Sequence, residues 1–138
     1  MEITRKPALQ HFFEPASVAV VGASTHPGKV GHGILRNMLT SGFRGAVYPV
    51  NPRATEILGV RCHRSVLDIE GPVELAVVVV PAPVVVPVME ECGQKGIDAA
   101  IVISAGFKEA GPEGVERERE LAEVAKGHGI RVVGPNCL

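Results

Sequence analysis

Apolar and polar positions along the chain alternate between two kinds of segment. Short apolar runs at 17–21 (SVAVV), 46–50 (AVYPV), 75–80 (LAVVVV), 99–103 (AAIVI) and 130–133 (IRVV) read as strands. The run at 75–80 is apolar throughout, as a central parallel strand covered on both faces should be. Between the strands lie segments with helical spacing. In 31–41 the recurring positions are Ile34, Leu35, Met38 and Leu39; a second helix covers 83–95; the charged helix 113–127 turns Val115, Leu121, Val124 and Ala125 inward. Residues 1–14 read as a lead-in with a short helix over one sheet edge. Pro52 opens a short helix over 53–58 that stops at Gly59, residues 60–62 are extended, and Ser65 caps a single turn ending near Ile69.

Strands separated by helices of this length build βαβ units with right-handed crossovers. The expected fold is a Rossmann-like three-layer α/β/α domain with a five-stranded, mainly parallel sheet. With the five strands numbered along the chain, the expected order is 3-2-1-4-5, with helices on both faces.

Composition narrows the function. The 138 residues are 46% hydrophobic and 21% charged, which suits one globular domain. A formal net charge of −1 supplies no field for nucleic acid, and no Trp, four Phe and one Tyr leave little to stack on bases. Anion binding must therefore come from local amides and a few basic side chains. Three cysteines (Cys62, Cys92, Cys137) without CxxC spacing argue against a disulfide framework and for a reducing compartment. The apolar stretch 75–89 is interrupted by Pro81, Pro83 and Pro87 and is too short for a bilayer, and the N-terminus lacks a signal-peptide core. The chain is cytoplasmic in character, with no membrane or nucleic-acid partner expected.

The candidate chemistry begins where the first strand ends, in VVGASTHPGKVGHG (20–33). Gly22 allows a sharp turn off the strand, and Gly28, Gly31 and Gly33 allow close approach of a ligand or of packed chain. The following helix offers free N–H groups to phosphate. Two familiar fingerprints fail. GxGxxG needs glycine where Ser24 stands, and a P-loop needs a hydroxyl where Val30 follows Gly28-Lys29. An NAD site wants an acid after the second strand, yet Pro49-Val50-Asn51-Pro52-Arg53 is neutral and then basic, which suits a phosphate-bearing ribose better than a free diol. The residues read as a site for a nucleotide with several phosphates and no dedicated metal, contacted by Ser24, Lys29, Asn51, Arg53 and the amides of 22–25, including Thr25. The other strand exits, Val80-Pro81-Ala82-Pro83, Ile103-Ser104-Ala105-Gly106-Phe107 and Val133-Gly134-Pro135-Asn136-Cys137, mark a groove along the same sheet edge.

Over essentially its whole length the sequence resembles the N-terminal coenzyme A-binding domain of acyl-CoA synthetases that form a nucleoside diphosphate. These are the ADP-forming acetate–CoA ligases and, more distantly, the alpha subunit of succinyl-CoA synthetase. The resemblance is carried, in order, by the Phe13–Ser24 entry, Pro27-Gly28-Lys29-Val30-Gly31, Tyr48-Pro49-Val50-Asn51-Pro52, Ser65-Val66-Leu67-Asp68, Val80-Pro81-Ala82, Ser104-Ala105-Gly106-Phe107 and Gly134-Pro135-Asn136-Cys137.

The resemblance implies CoA as ligand. Gly22, Ala23, Ser24, Thr25 and Lys29 would lie along its phosphates, with Val50, Asn51 and Arg53 near the nucleotide end. Val80, Pro81 and Ala82 would border the adenine or pantetheine arm. Ser104, Ala105, Gly106 and Asn136 would approach the thiol. It also implies that residues 1–138 are the N-terminal part of a longer protein, whose phosphorylated histidine and ATP-grasp-type nucleotide site lie in downstream domains or another subunit. The domain alone would then bind without catalysing.

No local residue replaces that histidine. His26 and His32 flank the loop without a neighbouring acid and read as loop and surface histidines, His26 being the one within reach of a phosphate. His11, His63 and His128 lack metal-ligand spacing, and Cys137 reads as a packed loop residue. Two other readings remain: a CoA- or nucleotide-sensing regulatory domain of an acyltransferase, and an NAD(P)-binding Rossmann domain.

Overall fold

The computed structural model describes residues 8–135. Eleven labelled elements follow in chain order: α1 (Ala8–Phe13), β1 (Ser17–Val21), α2 (Val30–Thr40), β2 (Ala46–Val50), β3 (Glu56–Ile57), β4 (Val60–Arg61), β5 (Leu75–Val78), α3 (Ala82–Lys95), β6 (Ala99–Val102), α4 (Pro112–His128) and β7 (Arg131–Val133). Five strands form one parallel sheet in the order β2-β1-β5-β6-β7. The three-layer Rossmann-like expectation holds.

Strand alternation divides the core in two. Ala19, Val21, Ala76, Val78, Ala100 and Val102 face α3 and α4, where Val85, Met89, Cys92, Leu121 and Ala125 meet them. Val18, Val20, Leu75, Val77 and Ala99 face the other way, toward Leu35 of α2 and Phe12 of α1. All five residues of β1 are buried. Fully burying one such valine is worth about 1.5–3 kcal/mol, so the sheet centre carries much of the stability.

The strand order departs from the expected 3-2-1-4-5. Counted among the five main strands it is 2-1-3-4-5, with β5 inserted beside β1. An outer position would have left the wholly apolar β5 exposed along one side, whereas between β1 and β6 all four of its residues are buried. Hydrogen bonds fix the placement: the Glu74 N–H donates to Ser17 Oγ at 3.0 Å, Ser17 Oγ donates to the Pro72 carbonyl at 3.0 Å, and the Ala16 N–H donates to Glu74 Oε1 at 2.8 Å. The outer edge of β2 is occupied instead by His63, whose N–H donates to the Pro49 carbonyl and whose carbonyl accepts from Asn51.

The expected helix over 53–58 is a hairpin. Asn51 Oδ1 accepts the Arg53 N–H at 2.8 Å, turning the chain, and β3 and β4 pair antiparallel across Leu58-Gly59. Both turn residues have positive φ, 53° and 79°, as a two-residue turn joining right-twisted strands requires. In α4, Val115 is half exposed rather than inward; Gly114 takes the buried place, against the Phe107 backbone.

Candidate functional site

The loops at the carboxyl ends of β1, β2, β5 and β6 share one edge of the sheet. The sheet's connection reverses between β1 and β5, the usual place for a ligand in an open α/β sheet. Gly22 stands at that point with φ 97°; a Cβ there would come within 2.5 Å of the Val79 carbonyl oxygen. Its N–H donates to the Val50 carbonyl at 2.9 Å. Gly22 therefore ties the exits of β1, β2 and β5 together, and only glycine fits.

Three consecutive carbonyls of the loop are turned into the protein. Gly31, at the start of α2, packs so closely that a Cβ there would overlap the Gly22 carbonyl oxygen. Asn51 Nδ2 donates to the Ala23 carbonyl at 2.8 Å, and His32 Nδ1 lies 2.9 Å from the Ser24 carbonyl. In a trans peptide the next N–H points opposite to the carbonyl. The N–H groups of Ala23, Ser24 and Thr25 thus point away from these partners, in the loop that leads to α2. The next N–H, of His26, is taken by Ser24 Oγ at 3.0 Å.

Ser24, Thr25, Asn51 and Arg53 line one cleft of about 480 Å³. Arg53 is exposed there, free to meet an anion. Ala23 is buried beneath the loop, and Val50 is a core side chain that contributes its carbonyl. Lys29 is exposed at the N-cap of α2, outside the cleft lining.

The second group lies across Gly22. Val80 is half-buried, Pro81 exposed and Ala82 buried at the head of α3. Ser104 is buried and its Oγ donates to the Val80 carbonyl; Ala105 is exposed; Gly106 has φ 96°, and a Cβ on it would come 2.8 Å from that of Ala82. These residues make a rigid, mostly apolar lip. Asn136 and Cys137 lie outside the described residues.

His26 lies in the same cleft, as a residue within reach of a phosphate should. Other site features were hidden in the sequence: Ala54, Thr55 and Glu56 complete the cleft because 53–58 forms a hairpin. Glu56 brings a carboxylate to the rim. His32 is no surface histidine: it is buried beneath the loop it supports. Glu109 accepts the Gly106 and Phe107 N–H groups at 2.6 and 2.8 Å, which holds its carboxyl below the ordinary carboxylate value. Arg117 donates to the Gly106 carbonyl at 3.0 Å. Burial pushes the Cys92 thiol up to about 12 and raises that of Cys62, so neither is poised as a nucleophile.

A larger groove, about 700 Å³, lies between α3 and α4, but it sets Glu113, Glu116 and Glu120 against Arg117 alone, the wrong balance for a polyphosphate. Among the described residues no cluster of His, Cys, Asp and Glu could hold a metal, and no helix is long and apolar enough to cross a membrane.

Known proteins share this architecture. The pattern of the family described as CoA binding domain matches residues 16–138. The ADP-forming acetate–CoA ligase I of Archaeoglobus fulgidus is 54% identical over 130 residues, covering 94% of this chain and 19% of that protein. The ADP-forming acetate–CoA ligase I subunit alpha of Pyrococcus furiosus is 46% identical, covering 95% of this chain and 29% of the subunit. The apo structure of the dinucleotide-forming acetyl-coenzyme A synthetase 1 of Ca. Korarchaeum cryptofilum superimposes with a TM-score of 0.89 at 47% identity, covering 93% of this chain and 28% of that one. The chain thus spans less than a third of the length of each.

Proposed function

Because the chain belongs to the CoA-binding domain family, we propose that it is the coenzyme A-binding module of an ADP-forming acyl-CoA synthetase. The parent reaction would interconvert acyl-CoA, ADP and phosphate with free acid, CoA and ATP. The observation that carries this reading is that Asn51 and His32 hold the Ala23 and Ser24 carbonyls, turning the following N–H groups away from them, with Arg53 lining the same cleft as Ser24 and Thr25. A pyrophosphate would accept from the amides of Ala23, Ser24 and Thr25 and the α2 N-terminus, and Lys29 would approach it from the helix start. Arg53 would meet the ribose 3′-phosphate, the group that separates CoA from dephospho-CoA. Val80, Pro81 and Ala82 would carry the adenine or pantetheine arm toward Ser104, Ala105, Gly106 and Asn136, where the thiol is presented.

The domain supplies binding and orientation. Phosphoryl transfer belongs to the rest of the parent protein, as separate domains or a partner subunit carrying the phosphorylated histidine and the ATP-grasp-type site. The free thiols Cys62 and Cys92 fit a reducing, cytoplasmic setting.

Calorimetric titration of the domain with CoA, dephospho-CoA and NAD tests the reading. CoA should bind, dephospho-CoA more weakly and NAD weakest. A folded domain that ignores CoA would sink the proposal. Preference for NAD would make Glu56, on the cleft rim, a diol-binding acid and this a dinucleotide site.

A further inference from the structure

Building on the CoA reading, we infer that His32 is a positioning residue for the phosphate loop, acting through an Nδ1–H donated to the Ser24 carbonyl. His32 lies in the first turn of α2, 7% exposed, and its Nδ1 is 2.9 Å from that oxygen. A carbonyl oxygen can only accept, so the ring proton sits on Nδ1, the less common site in free neutral imidazole. Asn51, from the β2 exit, does the same for the Ala23 carbonyl. Two consecutive peptide planes are thus clamped by side chains from different elements, α2 and the β2 exit. Planarity converts each clamp into a direction for the next N–H, so His32 aims the Thr25 amide just as Asn51 aims that of Ser24. The histidine touches no ligand in this arrangement; it fixes what the backbone presents. Protonation at Nε2 leaves the Nδ1–H in place, so the clamp does not depend on which charge state the ring holds.

Three measurements on the domain test this. Nitrogen-15 spectra of the His32 ring in the unaltered protein should show the Nδ1-protonated tautomer; an Nε2-protonated neutral ring would overturn the inference. His32→Leu, which removes the donor, should weaken CoA and dephospho-CoA equally, by about tenfold, since the pyrophosphate is common to both. His32→Asn, whose amide places an N–H near the former Nδ1, should bind within about threefold of the unaltered protein. A leucine variant that binds like the parent would also overturn it. If the unaltered protein binds no CoA, the CoA reading fails instead. The ring tautomer, and the Thr25 amide shift in His32→Leu against His32→Asn, would still decide whether His32 holds the loop.

Discussion

Arg53 and Glu109 serve the site in opposite senses, one offering charge outward, the other spending it within the protein. Arg53 is exposed on the cleft, so Arg53→Gln should leave folding unchanged. It should lower CoA affinity about tenfold, near the worth of one charge-assisted hydrogen bond, while dephospho-CoA affinity stays level in parallel titrations. Glu109 caps the Gly106 turn, and its carboxyl is lowered from 4.5, first by the Phe107 N–H, then by its own and by that of Gly106. A lowered value means the cap is complete above the ordinary carboxylate range and is lost as pH falls through the folded value. Protection of the Gly106 and Phe107 amides, taken relative to intrinsic exchange at each pH, should therefore fall on acidification below about pH 4.5 in the parent, and should already be low at neutral pH in Glu109→Ala. Cys92, with its thiol near 12, should resist alkylation at pH 8 until the protein is unfolded.

At the scale of elements, Gly31 sets two effects against each other. Replacing it by alanine improves helix propensity by about 1 kcal/mol. The added carbon, however, would overlap the Gly22 carbonyl oxygen, a backbone atom fixed at the sheet's switch point. The overlap should win: Gly31→Ala should melt lower and lose CoA binding, whereas Gly33→Ala, with open space around it, should melt the same or slightly higher. The central strands β1 and β5 could be read from the sequence because they are apolar and buried along their whole length, and the three long helices because their apolar residues recur at helical spacing. The β3–β4 hairpin could not. Its two-residue strands show no period, and its turn places Leu58 at φ 53°, a conformation its side chain does not favour. With the hairpin went Ala54, Thr55 and Glu56, three of the eight cleft-lining residues. His32 reads as a surface histidine in the sequence for a related reason: its partner is a backbone carbonyl, which no side-chain pattern announces.

The molecule as a whole reads as a preformed binder. CoA at a hundredfold excess over its Kd should add about 2.7 kcal/mol and raise the Tm by roughly 10 °C, a shift a thermal melt detects without any activity assay. Layering and parallel pairing were visible in the sequence, since both follow from apolar strands alternating with helices. Strand order was not, because it depends on where the 51–74 segment leads. That segment carries a hairpin and a short turn in place of a full crossover helix.

The order has a consequence for biosynthesis. The phosphate loop leaves the ribosome among the first parts of the domain, yet its shape depends on groups made much later: Asn51 for the Ala23 carbonyl and Val79 against Gly22. β1, moreover, gains its second neighbour only when β5 has emerged. A nascent chain halted before β5 would hold the loop's residues without its geometry. The ligand could then select only chains that have already closed the centre of the sheet, as a late checkpoint on folding rather than a seed for it.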